Sequence, residues 1–180
     1  YVRSEYWGER PHADTHVDDG ETRGTLTDLR AEIHWQAIDG PLAFAPYAAM
    51  VVPVRDYPVL GHASPGRGLQ ELWIGGFGGA SLDEWLPGTW VQLRYNYAFV
   101  EKVAGIAHDR SNADLELGVF LGPSWSLRGT LSWQHSHGGI DVPVPPSDPF
   151  YPYHDQLARE SFVHVGGGVS WFPTARTGVF

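Results

Sequence analysis

Between Trp90 and Glu101 the chain alternates without a break. Val91, Leu93, Tyr95, Tyr97 and Phe99 share one parity, and Gln92, Arg94, Asn96 and Ala98 share the other. Neighbouring side chains of a strand point to opposite faces, so this stretch predicts a strand with one apolar, aromatic face and one polar face. The same period of two recurs elsewhere. From Leu26 to Ile38, Leu29, Ile33 and Trp35 oppose Asp28, Arg30, Glu32 and His34. An amphipathic helix would not hold that register over so many residues. Leu42–Val52, Leu69–Gly78, Asp114–Leu121, Trp125–His135 and Glu160–Phe172 read as further strands. Tyr1–Trp7 reads as the tail of one more, and Thr177–Phe180 as the start of another. Pro46 predicts a bulge or an irregular ladder inside Leu42–Val52, because proline has no N–H to give a neighbour.

The connections vary in a regular way. Those near 8–24, 53–68, 102–112 and 136–159 are long, those at 39–41, 122–124 and 173–176 are tight, and 79–89 is intermediate. Short turns at one end and long loops at the other are the habit of outer-membrane barrels. Trp35, Trp90, Trp125 and Trp171 all fall near the short-turn end, as an aromatic girdle at a membrane interface would. Most strands hold roughly nine to twelve residues, enough to cross a bilayer when tilted. Together these features predict an all-β fold: a transmembrane antiparallel up-and-down β-barrel, with at least eight strands in this chain. The competing reading is an antiparallel sandwich or lipocalin-like barrel in water, whose strands are shorter and whose loops are mixed.

Composition narrows the partners. Among 180 residues, 12 Lys and Arg face 21 Asp and Glu, for a formal net charge of -9. That balance argues against a nucleic-acid partner. No cysteine is present, which excludes disulfides, thiolate metal sites and cysteine catalysis. No apolar run reaches the length of a membrane helix. The chain opens at Tyr1, already in strand-like sequence, and is expected to be one domain over 1–180, trimmed or truncated.

The stretch from Met50 to Leu72, Met-Val-Val-Pro-Val-Arg-Asp-Tyr-Pro-Val-Leu-Gly-His-Ala-Ser-Pro-Gly-Arg-Gly-Leu-Gln-Glu-Leu, resembles the strand-loop-strand segment of the outer-membrane transporters of the MetA pathway of phenol degradation. The resemblance continues through the aromatic strand with Tyr95 and Tyr97 and covers about residues 26–172. Arg55 departs from it, standing where a small residue such as Gly is commoner. The resemblance implies a barrel of about twelve strands in the complete protein. It also implies passage of small, often hydrophobic compounds.

On the barrel reading, Asp28, Arg30, Glu32, Glu71, Gln92, Arg94, Asn96, Asp114, Glu116 and Arg128 line the lumen. They either set the selectivity of a water-filled path or pair with one another as structural filling. His135-Ser136-His137 places two imidazoles on one side of an extended chain, a weak metal candidate that lacks further ligands; no metal and no cofactor is expected. Gln134–Gly138 faintly resembles the His-x-Ser-Asn segment of lipid A deacylases. His137 stands where that pattern has its Ser, and Ser136 points away from His135, so the nucleophile is missing. The acidic loop Asp14–Glu21 matches no EF-hand spacing and reads as a hydrated loop.

These readings lead to one expectation. The chain is a bacterial outer-membrane channel or transporter for passive passage of a small, hydrophobic or aromatic solute, with the lipid bilayer as partner. The alternative is a closed-lumen barrel that anchors or scaffolds a protein partner through the loop 142–153. That loop carries Pro143, Pro145, Pro146, Pro149 and Pro152, which restrict the backbone before docking. An outer-membrane lipid esterase around His135 is third, and no enzyme is expected.

Overall fold

The computed structural model describes residues 1–6, 21–174 and 177–179. The loop read at 8–24 and its acidic segment fall largely outside the described residues. The strands are β1 (Val2–Ser4), β2 (Arg23–Thr25), β3 (Asp28–His34), β4 (Leu42–Pro53), β5 (Glu71–Ser81), β6 (Thr89–Val100), β7 (Arg110–Phe120), β8 (Trp125–Ser136), β9 (Ser161–Thr174) and β10 (Thr177–Val179). A short helix, α1 (His154–Leu157), precedes β9. Strands β3 to β10 form one antiparallel sheet in chain order, a meander of hairpins. The opening strand does not join it: β1 pairs only with β2 in a two-stranded sheet.

The faces follow the sequence parity. Arg94 pairs with Phe77 on one side and Asp114 on the other, and Asp114 pairs with Ser132. Leu93 pairs with Gly78 and Leu115, and Leu115 with Leu131. The parities therefore stay on one side each across the sheet: the face of Arg94 is polar on β3, β6, β7 and β8 but carries Ala45, Tyr47, Trp73 and Phe77 on β4 and β5, and the other face is mainly apolar. The sheet curls toward the polar face. Arg94 and Glu32 stand three strands apart, ~14 Å on a flat sheet, yet their side chains meet at 3.2 Å. The apolar residues lie on the convex side and are exposed, with Ile33 at 75% and Val165 at 80%.

The sheet does not close. Its seven long strands, β3 to β9, make a half-barrel of 186° whose edges stand 21 Å apart. Hydrogen-bonded strands lie ~4.8 Å apart, so the first and last strands are far beyond pairing. At this curvature a full circle needs roughly twice as many strands. This corrects the expected transmembrane barrel and the resemblance to the phenol-degradation transporters. Without a closed lumen there is no channel or transporter path and no closed-lumen anchor or scaffold. The open sheet likewise overturns the placement in a bacterial outer membrane with the lipid bilayer as partner. Among the described residues, no helix is long and apolar enough to cross a membrane.

On the β5 side Pro46 makes no bulge: Ala45–Phe77, Pro46–Gly76 and Tyr47–Gly75 run in unbroken register. On the β3 side the ladder is irregular at the proline, as expected: the regular register ends at His34–Tyr47, Trp35 N still donates to Pro46 O, and pairing resumes one residue out of register at Ile38–Phe44. β7 begins earlier than the alternation suggests, because Arg110, Ser111 and Asn112 pair with Ser136, His135 and Gln134.

The long loops gather at one end and build a cap. Leu157 is fully buried with Leu69, Ala98 and Val100, and Trp73, Val103, Ile106, Ile140 and Tyr153 pack around them. Of loop 142–153, Tyr153 packs on this cluster while Val142 and Phe150 are exposed; the loop's expected role as the docking arm of a closed-lumen anchor falls with the lumen. Gln156 Nε2 donates to Arg67 O at 2.7 Å, and Arg67 pairs with Glu160 at 2.6 Å. His108 is fully buried beneath this cap. Its Nε2–H donates to Ala158 O at 2.8 Å, which leaves Nδ1 as the acceptor facing Arg67 and Arg110 at 3.3 and 3.5 Å. Burial, with two guanidinium groups beside the ring, holds its pKa below the usual histidine value.

Two expectations follow. A Cβ at Gly75 would collide with the Tyr95 carbonyl and lie 2.7 Å from Asn96 Cβ, whereas one at Gly129 meets open space. Chemical denaturation should therefore show Gly75→Ala destabilised by about 1–3 kcal/mol, and Gly129→Ala neutral or slightly stabilised. The His108 linkage has a definite sign. Its contribution is complete above about pH 6.5 and is lost as pH falls below that, because the unfolded chain takes up the proton first. The thermal midpoint should drop on acidification, and His108→Gln should flatten that drop. NMR titration should find the wild-type imidazole neutral well below the pH at which solvated histidines protonate.

Candidate binding site on the concave face

The polar face of each strand feeds one trough. β3 contributes Arg30 and Glu32, β4 contributes Ala45 and Tyr47, and β5 contributes Trp73 and Phe77. β6 adds Gln92 and Arg94, β7 adds Asp114 and Glu116, and β8 adds Arg128. Arg94 is the central cation. Its Nε donates to Tyr47 Oη at 2.9 Å, and its Nη2 donates to Glu32 at 3.2 Å. Its guanidinium lies 4.6 Å from the Tyr47 ring centre and 4.8 Å from that of Phe77. Arg30 bonds the same Glu32 and sits 4.5 Å over Trp73. A cation over an aromatic face gains from the ring quadrupole, and such contacts immobilise both groups. Tyr47 is buried, and its phenol is pushed up to about 12, chiefly by that burial, with Glu32 and Asp114 adding to the rise and Arg30 opposing it.

Each predicted lumen residue takes a definite place, although there is no closed lumen to line. Arg94 pairs with Glu32, rather than with Glu71 or Glu116 as a neighbour-strand reading suggests. Glu71 is taken by Arg110 in a buried ion pair under the cap, and also accepts from Trp73 Nε1 at 2.7 Å. Glu116 lies 3.8 Å from Arg128, a loose pair. Asp28 accepts from Tyr57 Oη at 3.4 Å. Asn96 is buried in the floor, and its Nδ2 has no acceptor among the described residues. Gln92 and Asp114 are exposed in the trough, and Asp114 has no ion pair among the described residues.

The four tryptophans do not form one girdle. Trp125 and Trp171 stack at 6.0 Å on the convex face, and Trp35 is exposed at 70%. Trp90 turns to the concave face and covers Gly118, where any side chain would meet its ring. His135 and His137 lie close, with ring centres 5.1 Å apart, but they do not share a ligand site. His135 Nδ1 contacts Ser161 Oγ at 2.8 Å, and His137 Nε2 contacts Ser111 Oγ at 2.8 Å. Ser136 Oγ is buried and accepts from Glu160 N at 3.2 Å.

Toward the turn end the trough holds a recess of about 400 Å³. Ala43, Ala45 and Gly79 form its floor, Phe77 gives one apolar wall, and Gln36, Gln92, Arg94, Asp114 and Glu116 supply the polar rim. The recess offers two carboxylates, two amides and one guanidinium already engaged by Glu32. Its lining includes no histidine, serine or lysine, so the groups it turns on a ligand are carboxylates, amides and the Arg94 guanidinium. Tyr47, Phe77 and Gln36 were not legible as site residues: the curl brings Tyr47, two strands away, onto Arg94, Phe77 is the cross-strand neighbour of Arg94, and Gln36 lines the same recess.

Compared with known proteins, the chain matches no family model, no curated protein and no solved structure.

Proposed function

We propose that the chain is a binding protein rather than an enzyme, and that its concave recess takes a small solute rich in hydrogen-bond donors, uncharged or cationic. The recess itself carries this reading. Its rim is dominated by acceptors, its single cation is committed to Glu32 and Tyr47, and Asp114 presents an exposed carboxylate beside Gln92. Phe77 and the alanine–glycine floor supply one apolar surface, which a ligand with a hydrocarbon face covers. An anion would meet Asp114, which has no ion pair among the described residues, with Glu116 only loosely offset by Arg128 and Arg94 already engaged by Glu32.

Calorimetric titration with three probes checks this: spermidine, glucose and succinate. Saturable binding of the amine or the sugar, with none of the dicarboxylate, is the expected result. Asp114→Asn removes a charge-assisted hydrogen bond worth ~1.5–3 kcal/mol, so spermidine affinity should fall by about ten- to a hundredfold. Binding of none of the probes, or an Asp114→Asn chain that binds spermidine as well as the wild type, would sink the proposal.

A further inference from the structure

A second cluster lies in the cap, away from the recess. His62 from the loop after β4 meets His154 and Asp155 of α1. His154 Nε2 is 3.4 Å and His62 Nε2 is 3.7 Å from Asp155 Oδ1. One ligand atom from each of the three residues lies within 4.8 Å of the others. Four-coordinate zinc, with bonds of about 2.0–2.2 Å to nitrogen and oxygen, sets its donor atoms about 3.3–3.5 Å apart. The His154–Asp155 spacing falls in that range, and the His62–Asp155 spacing is a few tenths of an ångström wider.

The surroundings orient the donors. His154 Nδ1 lies 2.6 Å from Tyr151 O, so Nδ1 carries the hydrogen and Nε2 keeps its lone pair. That lone pair faces a carboxylate oxygen. Between that nitrogen and the carboxylate either a proton or a metal cation can sit, and a backbone carbonyl behind the ring is the usual support of a metal-bound histidine. The rings are also held in place. Tyr6 stacks on His62 at 4.8 Å, Tyr151 packs on His154 at 4.9 Å, and the two imidazoles meet edge-on at 5.8 Å. A cavity of about 280 Å³ adjoins, bordered by Ser64, Arg67, Gln156 and Glu160, with room for a fourth ligand.

We propose that His62, His154 and Asp155 bind one divalent transition-metal cation of the zinc type, with its fourth position open to this cavity. The ion closes a clip between the loop after β4 and the segment before β9. This site is independent of the concave recess and stands or falls separately. The donor set of two imidazoles and a carboxylate suits zinc and its first-row neighbours, and lacks the oxygen count that calcium or magnesium requires.

The test uses chelator-stripped chain, confirmed as β-sheet by circular dichroism, titrated with Zn²⁺ alone. One equivalent should bind with a dissociation constant on the order of micromolar or tighter, and the thermal midpoint should rise with added Zn²⁺. Co²⁺ in its place should give the visible absorption of a four-coordinate ion. His62→Ala changes an exposed side chain and should leave the fold intact while weakening Zn²⁺ at least about tenfold. Asp155→Asn should do the same. The double change His135→Gln with His137→Gln should leave the affinity as it was. The proposal is overturned if the folded chain shows no saturable Zn²⁺ binding, if His62→Ala and Asp155→Asn bind as the wild type does, or if the His135/His137 double variant abolishes binding.

Discussion

Glu71 and Arg110 belong to both the curl and the cap. Their ion pair spans from β5 to β7 across the concave face, and both side chains are about nine-tenths buried. A buried pair is a poor source of net stability, but once formed it tolerates no loss of either partner. Here it is held from several sides. Trp73 Nε1 donates to Glu71, and Arg110 reaches Nδ1 of the buried His108. His108 in turn donates to Ala158 in the segment before β9. The strands set the spacing of the pair, and the loops exclude water from it. Cap and sheet are therefore one folding unit rather than a sheet with ornaments.

That arrangement explains why the trough is closed at one end and open at the other. Under the cap, Asn96, Ala98 and Arg110 are buried; Arg110 is paired with Glu71, while Asn96 Nδ2 has no acceptor among the described residues. Toward the turns, Gly75 and Gly79 of β5 leave the floor without side chains. Gln92 and Asp114 are left exposed there. Small residues create space, and the curl converts that space into a recess with walls. The rigid centre between the two ends is Arg94, pinned by Tyr47, Glu32 and Phe77. A ligand in the recess meets a guanidinium whose position is already fixed, which lowers the ordering cost of binding.

The strands and their faces were legible in the sequence, because a period of two fixes which residues share a side. Leu93 and Arg94 fall where alternation puts them, and so do Leu115 and Glu116. Curvature was not legible. Alternation sets faces, whereas closure depends on strand number and on whether the two edges meet, and 186° of arc leaves them 21 Å apart. Exposed Leu and Val on the convex face looked like a lipid belt because the same alternation would write one. Pro46 was legible by side: its ladder with β3 shifts register by one residue across the proline, while its ladder with β5 runs unbroken opposite Gly76. The pairings of the polar face were half legible. Arg and carboxylates sharing one parity offered ion pairs, but partner choice is set by reach across a curved surface. That is how Glu32, three strands away, came to be the partner of Arg94.

The cap shows the same limit more sharply. His62 and the His154–Asp155 dipeptide come from different segments with four strands, β5 to β8, between them. No spacing rule joins them, while His135 and His137, which a spacing rule does join, turn their ring nitrogens to different serines. Convergence in the cap depends on Gln156 and Arg67, which stitch the two loops together by a backbone contact and place α1 over the loop after β4. A ligand site assembled this way is only as ordered as the loops that carry it. An ion held by donors from both loops would stabilise the same closure that Leu157 and His108 begin from within. The recess on the concave face needs no such help, because its walls are strands already fixed by the ladder. The two sites thus draw on different parts of the fold: one on strand register, the other on loop closure.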